Sequence, residues 1–497
     1  MISATSAGGT RGWARHAAPR GPWVLATIAL LGAVAYAFVI VRSQGDPIVL
    51  LPLVAAIVVV GIWAQPVVGL YVVFGGAILL EQFALVAVFP ITQTKFFVNI
   101  NAYAPIPIRL SIPDLLMLLA GAAFLMRRSG AQEQRLRLGA LGPAVLGYVG
   151  ALLLGTVIGA ARGGYWNADI ALTELKAPMQ LCVAYFLAAN LVRNRLQLSV
   201  FLWIFVLGSA VKAFQTILNH QAASDLSFEL RTIIAHEDVV FMGAAVMLAL
   251  VAVILGHRSR LVVVLFALQP LFLIAELLAY RRVAFIALTV MSLAIMLMAA
   301  FTRPRRAAVL VAIGTIAIAF YLVIFWDASG PAAEPLRAMR SVFDGSSTSL
   351  VDQASSAWRD VEHQNIGYTI RQLPMTGVGV GQRYLFEREP VEISFPYWRF
   401  ITHDALLWLW LKAGPLGAFA LWFLVARAVL VGTSLFRRVQ EPSLRWTVML
   451  PVLLVLAQVV FSSVDLGLTY SRTMIVLGTS LGLAAFVAEE HARTSPR

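Results

Sequence analysis

The sequence predicts an all-α, polytopic membrane protein with about 12–14 membrane-spanning helices and one long polar loop. Of its 497 residues, 60% are hydrophobic and only 13% are charged, and the mean hydropathy is strongly positive. A helix needs roughly 20 apolar residues to cross the hydrocarbon core, and about fourteen stretches approach that length. These stretches lie near residues 22–41, 47–63, 66–88, 112–126, 139–160, 177–192, 196–218, 238–256, 261–279, 283–301, 307–326, 405–430, 446–463 and 470–488.

The basic residues occur in short clusters between the apolar stretches. The formal net charge is +13, from 38 Lys and Arg against 25 Asp and Glu, but no basic stripe forms, so nucleic acid is not an expected partner. With the N-terminus inside, the clusters all fall on the cytoplasmic side, as the positive-inside rule requires. They are Arg11/Arg15/Arg20, Arg127/Arg128/Arg135/Arg137, Arg193/Arg195, Arg258/Arg260, Arg303/Arg305/Arg306, Arg437/Arg438/Arg445 and Arg493/Arg497. Both termini are therefore expected in the cytoplasm, and the segments 89–111, 161–176, 219–237 and 327–403 on the outer face.

Three parts follow from this pattern. Residues 1–326 are expected to form a bundle of about 11 helices, residues 327–403 an outer loop, and residues 404–497 about three further helices. The basic tail and the first apolar run resemble an uncleaved signal-anchor, because no small-residue cleavage site follows the run. The only cysteine, Cys182, lies in an apolar stretch. An intramolecular disulfide is thus excluded, and packing and hydrogen bonds must hold the loop.

The outer loop ends with a histidine where the next apolar stretch begins. Thr402-His403-Asp404 is expected to form the first turn of a helix, with Thr402 or Asp404 capping the free amides. An imidazole titrates near neutral pH and can take a proton from a hydroxyl nucleophile. A capping or interfacial role without catalysis fits the same position. No two of the seven histidines stand at a metal-ligand spacing beside carboxylates, so neither a metal nor another cofactor is predicted.

Two adjacent arginines, Arg281 and Arg282, lie on the predicted outer face, against the positive-inside trend. A guanidinium matches phosphate oxygens in two-point contact and stays charged, so an anionic substrate would account for them. Snorkelling to lipid headgroups would account for them as well. Arg359, together with Arg371, Arg383, Arg388 and Arg399 of the loop, makes this face rich in guanidinium groups.

Four charged residues fall in or near apolar stretches. Each is expensive there, and is expected to be a structural partner near a helix end or to face a watery cavity. These residues are Glu81, Lys212, Glu276 and Lys412. Glu276 is the most notable, because the Arg281-Arg282 pair follows it closely.

Several of these residues belong to runs that occur in a fixed order. The runs are Arg359-Asp-Val-Glu-His-Gln-Asn365, Leu373-Pro-Met-Thr-Gly377-Val-Gly379-Val-Gly-Gln-Arg-Tyr384, His403-Asp-Ala-Leu-Leu407 and Gly414-Pro-Leu-Gly417. Together they resemble the O-antigen ligase and Wzy polymerase family, in which an arginine precedes a Pro-x-x-Gly-x-Gly signature and a His-Asn-x-x-Leu motif leads into a Gly-x-x-Gly helix. Arg282-Val-Ala-Phe-Ile-Ala-Leu288 is similar to the family's Ser-Arg-Gly-Ala-Leu helix start. Arg281, Val283 and Asp404 depart from the serine, glycine and asparagine usual at those positions.

The resemblance implies a GT-C-like membrane glycosyltransferase of the bacterial inner membrane, with its active site facing the periplasm. Its donor would be a glycan on undecaprenyl diphosphate, and its acceptor lipid A–core or a second lipid-linked glycan, with membrane lipids around both. In this scheme His403 is the general base, and Arg282 and Arg359, with Arg281, bind the diphosphate without metal. Gly377 and Gly379 either permit close approach of substrate or form a purely structural turn.

Other classes remain open at this stage. A flippase-like polysaccharide or lipid transporter would line a pathway with its intramembrane charges, although it would not need an arginine–histidine pair in a long outer loop. A non-catalytic component of an exopolysaccharide assembly system would keep the fold and tolerate loss of His403. Neither the sugar transferred nor the choice between ligase and polymerase follows from these motifs.

Overall fold

The computed structural model describes residues 42, 51–82, 95–102, 109–129, 136–224, 234–279, 281–328, 330–333, 335–337, 340, 350–393 and 395–494. The predicted span 22–41 and the first basic cluster lie outside these residues. The chain divides into two compact units, residues 1–60 and 61–497. In the first unit the description covers Arg42 and the residues from Leu51 onward; apart from the first part of the helix Leu51–Ala64, the features below belong to the second unit.

The described part of the chain contains helices and no strands. Nine of its helices are long and apolar enough to cross a membrane, or ten if a bent pair counts as one span. The helices are α1 (Leu51–Ala64), α2 (Val67–Leu79), α3 (Ile112–Ser129), α4 (Gly142–Arg162), α5 (Ala168–Leu191), α6 (Arg195–Ser224), α7 (His236–Leu255), α8 (Arg260–Ala267), α9 (Gln269–Leu278), α10 (Arg282–Thr302), α11 (Pro304–Phe325), α12 (Leu350–Gln372), α13 (Ala405–Arg438), α14 (Pro442–Thr447), α15 (Met449–Ser462) and α16 (Ser471–Thr494). The chain is therefore an all-α, multi-pass membrane protein.

Some predicted spans differ from the helices that form. The stretch 66–88 yields α2, whose 13 residues are short of the roughly 20 that a span needs. The described part of the stretch 47–63 lies in α1, where the description begins at Leu51. The stretch 112–126 becomes the 18-residue α3, which carries Asp114, Arg127 and Arg128 and is not among the nine spans. The stretch 261–279 bends by 43° between α8 and α9, where Pro270 lies at the start of α9 and supplies no backbone N–H.

The spans alternate in direction, so the bundle has two ends. The His403 end carries the first residue of α7 and the loop after α15, which are joined by an ion pair of 2.8 Å between His236 and Asp465. At the opposite end, Arg195 pairs with Glu441 at 2.7 Å and joins the start of α6 to the start of α14. By this alternation, the described arginine clusters between spans lie at the opposite end. Its assignment to the cytoplasm remains a prediction.

The polar insert 327–403 contains a 23-residue helix, α12. The segment that follows is fastened to this helix by Asn365, whose side chain accepts hydrogen bonds from the backbone of Glu387 (2.8 Å) and Arg388 (3.0 Å) and donates to the Arg388 carbonyl (2.7 Å). Ile366, Val378, Tyr384 and Leu411 form a small buried core beneath it. The insert is thus packed onto the start of α13 without a disulfide.

Residues 377–381, named here the glycine segment because every second residue is glycine, lie between α4 and α13. The Val378 N–H donates to the Leu411 carbonyl at 2.7 Å, and the Val380 N–H donates to the Gly155 carbonyl at 3.0 Å. Gly377 and Gly379 have φ values of 63° and 101°, which side chains with a Cβ rarely adopt. A Cβ on Gly379 would also collide with the backbone of Gly159. This geometry favours the structural alternative for both glycines.

A buried ion pair holds the glycine segment from the other side. Lys412 of α13 lies 2.8 Å from Glu174 of α5, and both side chains are fully buried. Lys412 also donates to the Gln382 carbonyl at 2.6 Å, while Glu174 accepts from the Gly381 N–H at 2.5 Å. Lys412 is therefore a structural partner, one of the two roles expected for it.

Candidate functional site

His403 stands just before α13 and is paired with a buried carboxylate of α12. Its Nδ1 lies 3.2 Å from Oε1 of Glu362, and its backbone N–H donates to the same oxygen at 3.1 Å. Glu362 is fully buried, whereas the His403 side chain is 21% exposed. The rings of Trp358 and Phe395 meet the imidazole edge-on, with centroids at 5.0 and 6.1 Å. The ring is therefore fixed by its neighbours and remains accessible.

Asp404 and His363 form a second pair next to the first. One oxygen of Asp404 caps α13 by accepting from the N–H groups of Leu406 (3.0 Å) and Leu407 (2.9 Å). Its other oxygen lies 3.3 Å from Nε2 of His363, whose Nδ1 is 2.8 Å from the Arg359 carbonyl oxygen. Asp404 is thus the capping residue that the sequence suggested. The hydrogen bond to Asp404 raises the pKa of His363 to about 9.

A third pair, formed by His236 and Asp465, lies at the same end of the bundle. Nδ1 of His236 lies 2.8 Å from Asp465, whose second oxygen accepts from the Tyr470 hydroxyl at 3.1 Å and from the Leu466 N–H at 2.7 Å. Burial raises the pKa of Asp465, but the hydrogen bond and charge of His236 outweigh this and hold it at about 2. The charge of His403 contributes to the same lowering, which places Asp465 within electrostatic reach of that histidine.

Arg281 and Arg359, two of the three predicted phosphate-binding arginines, lie within electrostatic reach of each other. Arg281 occupies the N-cap position of α10, and Arg282 is the first residue of that helix. The Arg281 Nη2 lies 3.5 Å from the Ile234 carbonyl, and its buried Nε has no hydrogen-bond partner among the described residues. Burial lowers the pKa of Arg281, and the charge of Arg359 lowers it further. The charge of Asp465 is the main effect that raises it. Arg281, Arg359 and Asp465 therefore share one electrostatic environment.

Three other arginines of the insert contact neighbouring side chains. Arg371 pairs with Glu387 at 3.5 Å, and Arg399 pairs with Glu389 at 3.1 Å. The Arg383 guanidinium lies over the ring of Tyr165, 4.8 Å from its centroid. These contacts engage the three guanidinium groups, so Arg281 and Arg359 are the better candidates for binding an anion.

Among the described residues, Glu276 makes no hydrogen bond to the His403 pair. It is buried in α9, and both of its carboxyl oxygens lack hydrogen-bond partners among the described residues. Its neighbour across the interface is Gly243 of α7, where an added Cβ would lie 3.4 Å from Oε1 of Glu276. Gly377 and Gly379 likewise face the backbones of α13 and α4.

Glu81 and Lys212, two of the charges noted in the sequence, belong to a separate buried cluster. Lys212 forms ion pairs with Glu81 and with Asp238, the latter at 3.1 Å. Arg472, fully buried, lies 3.1 Å from Glu81 and 2.5 Å from Asp238. Since Asp238 follows His236 by two residues in α7, this cluster holds the start of α7 in place. It supports the site from beneath.

Four contributors escaped the sequence-based argument: Glu362, His363, His236 and Asp465. Glu362 and His363 lie inside the Arg359–Asn365 run, but nothing in that run says which side chain faces His403. Asp465 is a lone carboxylate in the polar break between two apolar stretches, which was the one signal available for it. His236 and Asp465 are far apart in sequence, and only the packing of α7 against α15 brings them together.

The sequence matches no protein-family model and no curated protein. The helices define the class as an all-α, multi-pass membrane protein with a polar cluster at one end. Among the described residues, no group of three or more His, Cys, Asp or Glu side chains is arranged to hold a metal ion.

Proposed function

We propose that this protein is a glycosyltransferase of the O-antigen ligase or polysaccharide polymerase type. It moves a glycan from undecaprenyl diphosphate onto an acceptor hydroxyl at the periplasmic face of the bacterial inner membrane. The observation that carries the proposal is the partly exposed His403 imidazole on the buried carboxylate of Glu362. Arg281 and Arg359 act on each other electrostatically, and both Arg281 and His403 lie within electrostatic reach of Asp465. The order of motifs along the chain adds to this support.

His403 supplies the base. When Nδ1 carries a proton, it donates to Glu362, and Nε2 becomes the acceptor, as in other carboxylate–imidazole pairs. The acceptor hydroxyl passes its proton to Nε2 as its oxygen bonds to the anomeric carbon. The bond from that carbon to the diphosphate oxygen breaks, and its electron pair leaves with the diphosphate. A single displacement of this kind inverts the anomeric configuration.

The arginines stabilise the leaving group. Negative charge grows on the diphosphate as the anomeric bond breaks, and guanidinium groups already in place stabilise it with little reorganisation. The Arg281 Nε, buried without a partner among the described residues, is one such donor; Arg282 and Arg359 are the others. Three positive groups meet the charge that a metal ion would otherwise neutralise, so the proposed reaction needs no metal.

Reconstitution tests the proposal. The full chain in lipid is given an undecaprenyl-diphosphate-linked oligosaccharide with either lipid A–core or a second lipid-linked oligosaccharide, in the presence of a chelator. We expect release of undecaprenyl diphosphate together with a longer or transferred glycan, and we expect His403→Ala to slow both by about 10²–10⁴. His257→Ala, which removes a histidine at the opposite end, is the matched control.

The outcomes separate the candidate functions. The acceptor that gives product distinguishes a ligase from a polymerase. Release of undecaprenyl diphosphate by the His403→Ala variant at the wild-type rate contradicts the assignment of His403 as the base. If the wild type releases no carrier with either acceptor, the transferase proposal fails, and a vesicle transport assay then distinguishes a flippase-like protein from a non-catalytic assembly component.

A further inference from the structure

Glu276 of α9 is a buried acid that has no partner in the described part of the chain. The residue is 2% exposed, and both of its carboxyl oxygens are enclosed and without a hydrogen-bond partner. Glu237 and Glu362 are also buried, but each has only one oxygen in this state. Glu237 lies 3.9 Å from Arg472, and Glu362 lies 3.2 Å from His403. Glu276 therefore differs from both of these acids, because no basic side chain stands beside it.

The immediate surroundings of Glu276 are apolar. Its Oε1 lies in front of Gly243 of α7, where an added Cβ would be 3.4 Å from that oxygen. The same point is 3.4 Å from Leu288 and 3.5 Å from Met291, two apolar side chains of α10. Keeping a charged carboxylate in such surroundings without a paired cation is very costly. The neutral acid is therefore the form of Glu276 that this packing accommodates.

Charged groups on the neighbouring elements do not act on Glu276. Helix α9 contacts α6, α7, α8 and the short turn 331–333, which has no titratable side chain. The titratable residues of the contacting helices and of the start of α10 are Arg195, Lys212 and His220 of α6, His236, Glu237 and Asp238 of α7, Arg260 of α8, and Arg281 and Arg282. Within the described ranges, none of them exerts an electrostatic effect on Glu276. Lys212, which could neutralise a carboxylate, is held by Glu81 and Asp238 instead.

The helix that carries Glu276 begins at a bend. Helices α8 and α9 meet at an angle of 43°, and Pro270 at the start of α9 supplies no backbone N–H. Glu276 lies near the other end of α9, which ends at Leu278. Because both carboxyl oxygens are enclosed, water reaches them only when α9 moves away from α7. Local openings of this kind occur throughout folded proteins, and the bend offers a point about which α9 can move.

We propose that Glu276 is a proton-binding site. It holds a proton while α9 is packed against α7, and it exchanges that proton with water when α9 moves. Two enclosed oxygens, apolar neighbours and an adjoining bend carry this inference. Ionisable residues within membrane helices are typical of proton relays, where uptake and release of a proton accompany a movement of the protein. The proposal does not depend on the transferase function, because no step of the transfer uses Glu276.

Infrared spectroscopy of the full chain in lipid tests this site, because the C=O stretch of a protonated carboxyl is separated from the stretches of a carboxylate. At neutral pH we expect the wild type to show a protonated-carboxyl band that loses the intensity of one group in Glu276→Gln. Glutamine matches the neutral acid in size and charge, so this variant should keep the fold. Glu389→Gln is the matched control. It removes an exposed carboxylate that pairs with Arg399 at 3.1 Å, and it should leave the band unchanged.

Deuterium exchange is a second measurement, and it needs no variant. In D2O the wild-type band should shift to lower frequency, because deuterium replaces the acid proton each time the site opens. Identical bands in the wild type and Glu276→Gln would mean that Glu276 is ionised. A band that never shifts in D2O would mean that the proton is permanently enclosed and the acid purely structural. Either result overturns the proposal, and neither bears on glycan transfer, which the reconstitution measures separately.

Discussion

Two histidine–carboxylate pairs cross between α12 and the start of α13, and they differ in what each leaves available. In one, Glu362 of α12 holds His403; in the other, His363 of α12 meets Asp404. Nδ1 of His363 faces a carbonyl oxygen and its Nε2 faces a carboxylate, so both nitrogens act as donors. His403 has a carboxylate on Nδ1 only, within the described contacts. A histidine beside a carboxylate thus occurs twice, once as His403, whose Nε2 can accept a proton, and once as His363, whose two nitrogens are both occupied by structural hydrogen bonds.

The carboxylates differ in the same sense. Glu362 is fully buried, and its Oε2 has no hydrogen-bond partner among the described residues, so its charge acts mainly on His403. Asp404 divides its oxygens between the N-terminus of α13 and His363. A helix cap and an ion pair are both stabilising devices. The comparison teaches that burial and hydrogen-bond occupancy, more than residue type, select the candidate base.

The largest expected difference is between the two histidines themselves. His403→Ala removes the proton acceptor and should lower kcat by about 10²–10⁴, the usual contribution of a general base. His363→Ala should lower it less than about tenfold, since it removes only a supporting contact. Steady-state release of undecaprenyl diphosphate measures both. Equal losses in the two variants would erase the distinction between the pairs.

The cations around the first pair provide the next test. Arg281→Gln should reduce kcat by about 10²–10³, as expected when a preorganised donor to a developing negative charge is lost. Arg371→Gln is the control, because Arg371 is an exposed partner of Glu387 in the same insert. Single-turnover kinetics separate the chemical step from binding. A loss confined to KM would assign Arg281 to general attraction of the donor.

The carboxylate of the first pair should matter less than its histidine. A hydrogen bond to a charged group is worth roughly 1.5–3 kcal/mol, so Glu362→Gln should lower kcat about 10- to 100-fold. Steady-state release of undecaprenyl diphosphate measures the loss. Glu362→Asp keeps the carboxylate and should keep kcat closer to that of the wild type. Equal losses in Glu362→Gln and Glu362→Asp would leave Glu362 with a packing role only.

Much of the helical framework was predictable, and the exceptions have a physical cause. The stretch 307–326 corresponds closely to α11 (Pro304–Phe325), because its apolar run is uninterrupted. The stretch 177–192 missed the first nine residues of α5 (Ala168–Leu191). Glu174 lies among those nine residues, and it forms an ion pair with Lys412 of α13. A hydropathy pattern cannot foresee a partner so distant in sequence.

The site was predictable only where the neighbouring residues in sequence already indicated a role. His403 stood out because it lies at the end of a polar insert, just before an apolar helix. The roles of Glu362 and Asp465 arise when α12 folds onto α13 and the loop after α15 approaches α7. Glu276 is a further case: the sequence placed it near Arg281, and the structure adds a neighbour that the sequence did not indicate, Gly243 of α7. Helix rotation decides such cases, and an almost wholly apolar sequence contains little periodicity from which to read it.

The smallest expected effect concerns the second pair and its pH dependence. The hydrogen bond to Asp404 holds the pKa of His363 at about 9 in the folded protein, against an ordinary value near 6.5. A raised pKa means that folding favours the protonated imidazole. The stabilisation is therefore complete below about pH 6.5, declines as the pH rises towards 9, and is absent above that. Because the side chain is 46% exposed, solvent screening keeps the effect small.

Thermal unfolding of the wild type and His363→Gln across pH 6 to 10 measures this contribution. The wild type should unfold at the higher temperature at pH 6, and the two midpoints should converge above the pKa of about 9. His403→Gln is the comparison variant, because the wild-type His403 ring has a hydrogen-bond partner on Nδ1 only, whereas both nitrogens of His363 have one. A difference between wild type and His363→Gln that is constant with pH would mean that packing, and not the charged hydrogen bond to Asp404, is what His363 contributes. The second pair would then stabilise the start of α13 through contacts that carry no charge, and the contrast with His403 would rest on burial alone.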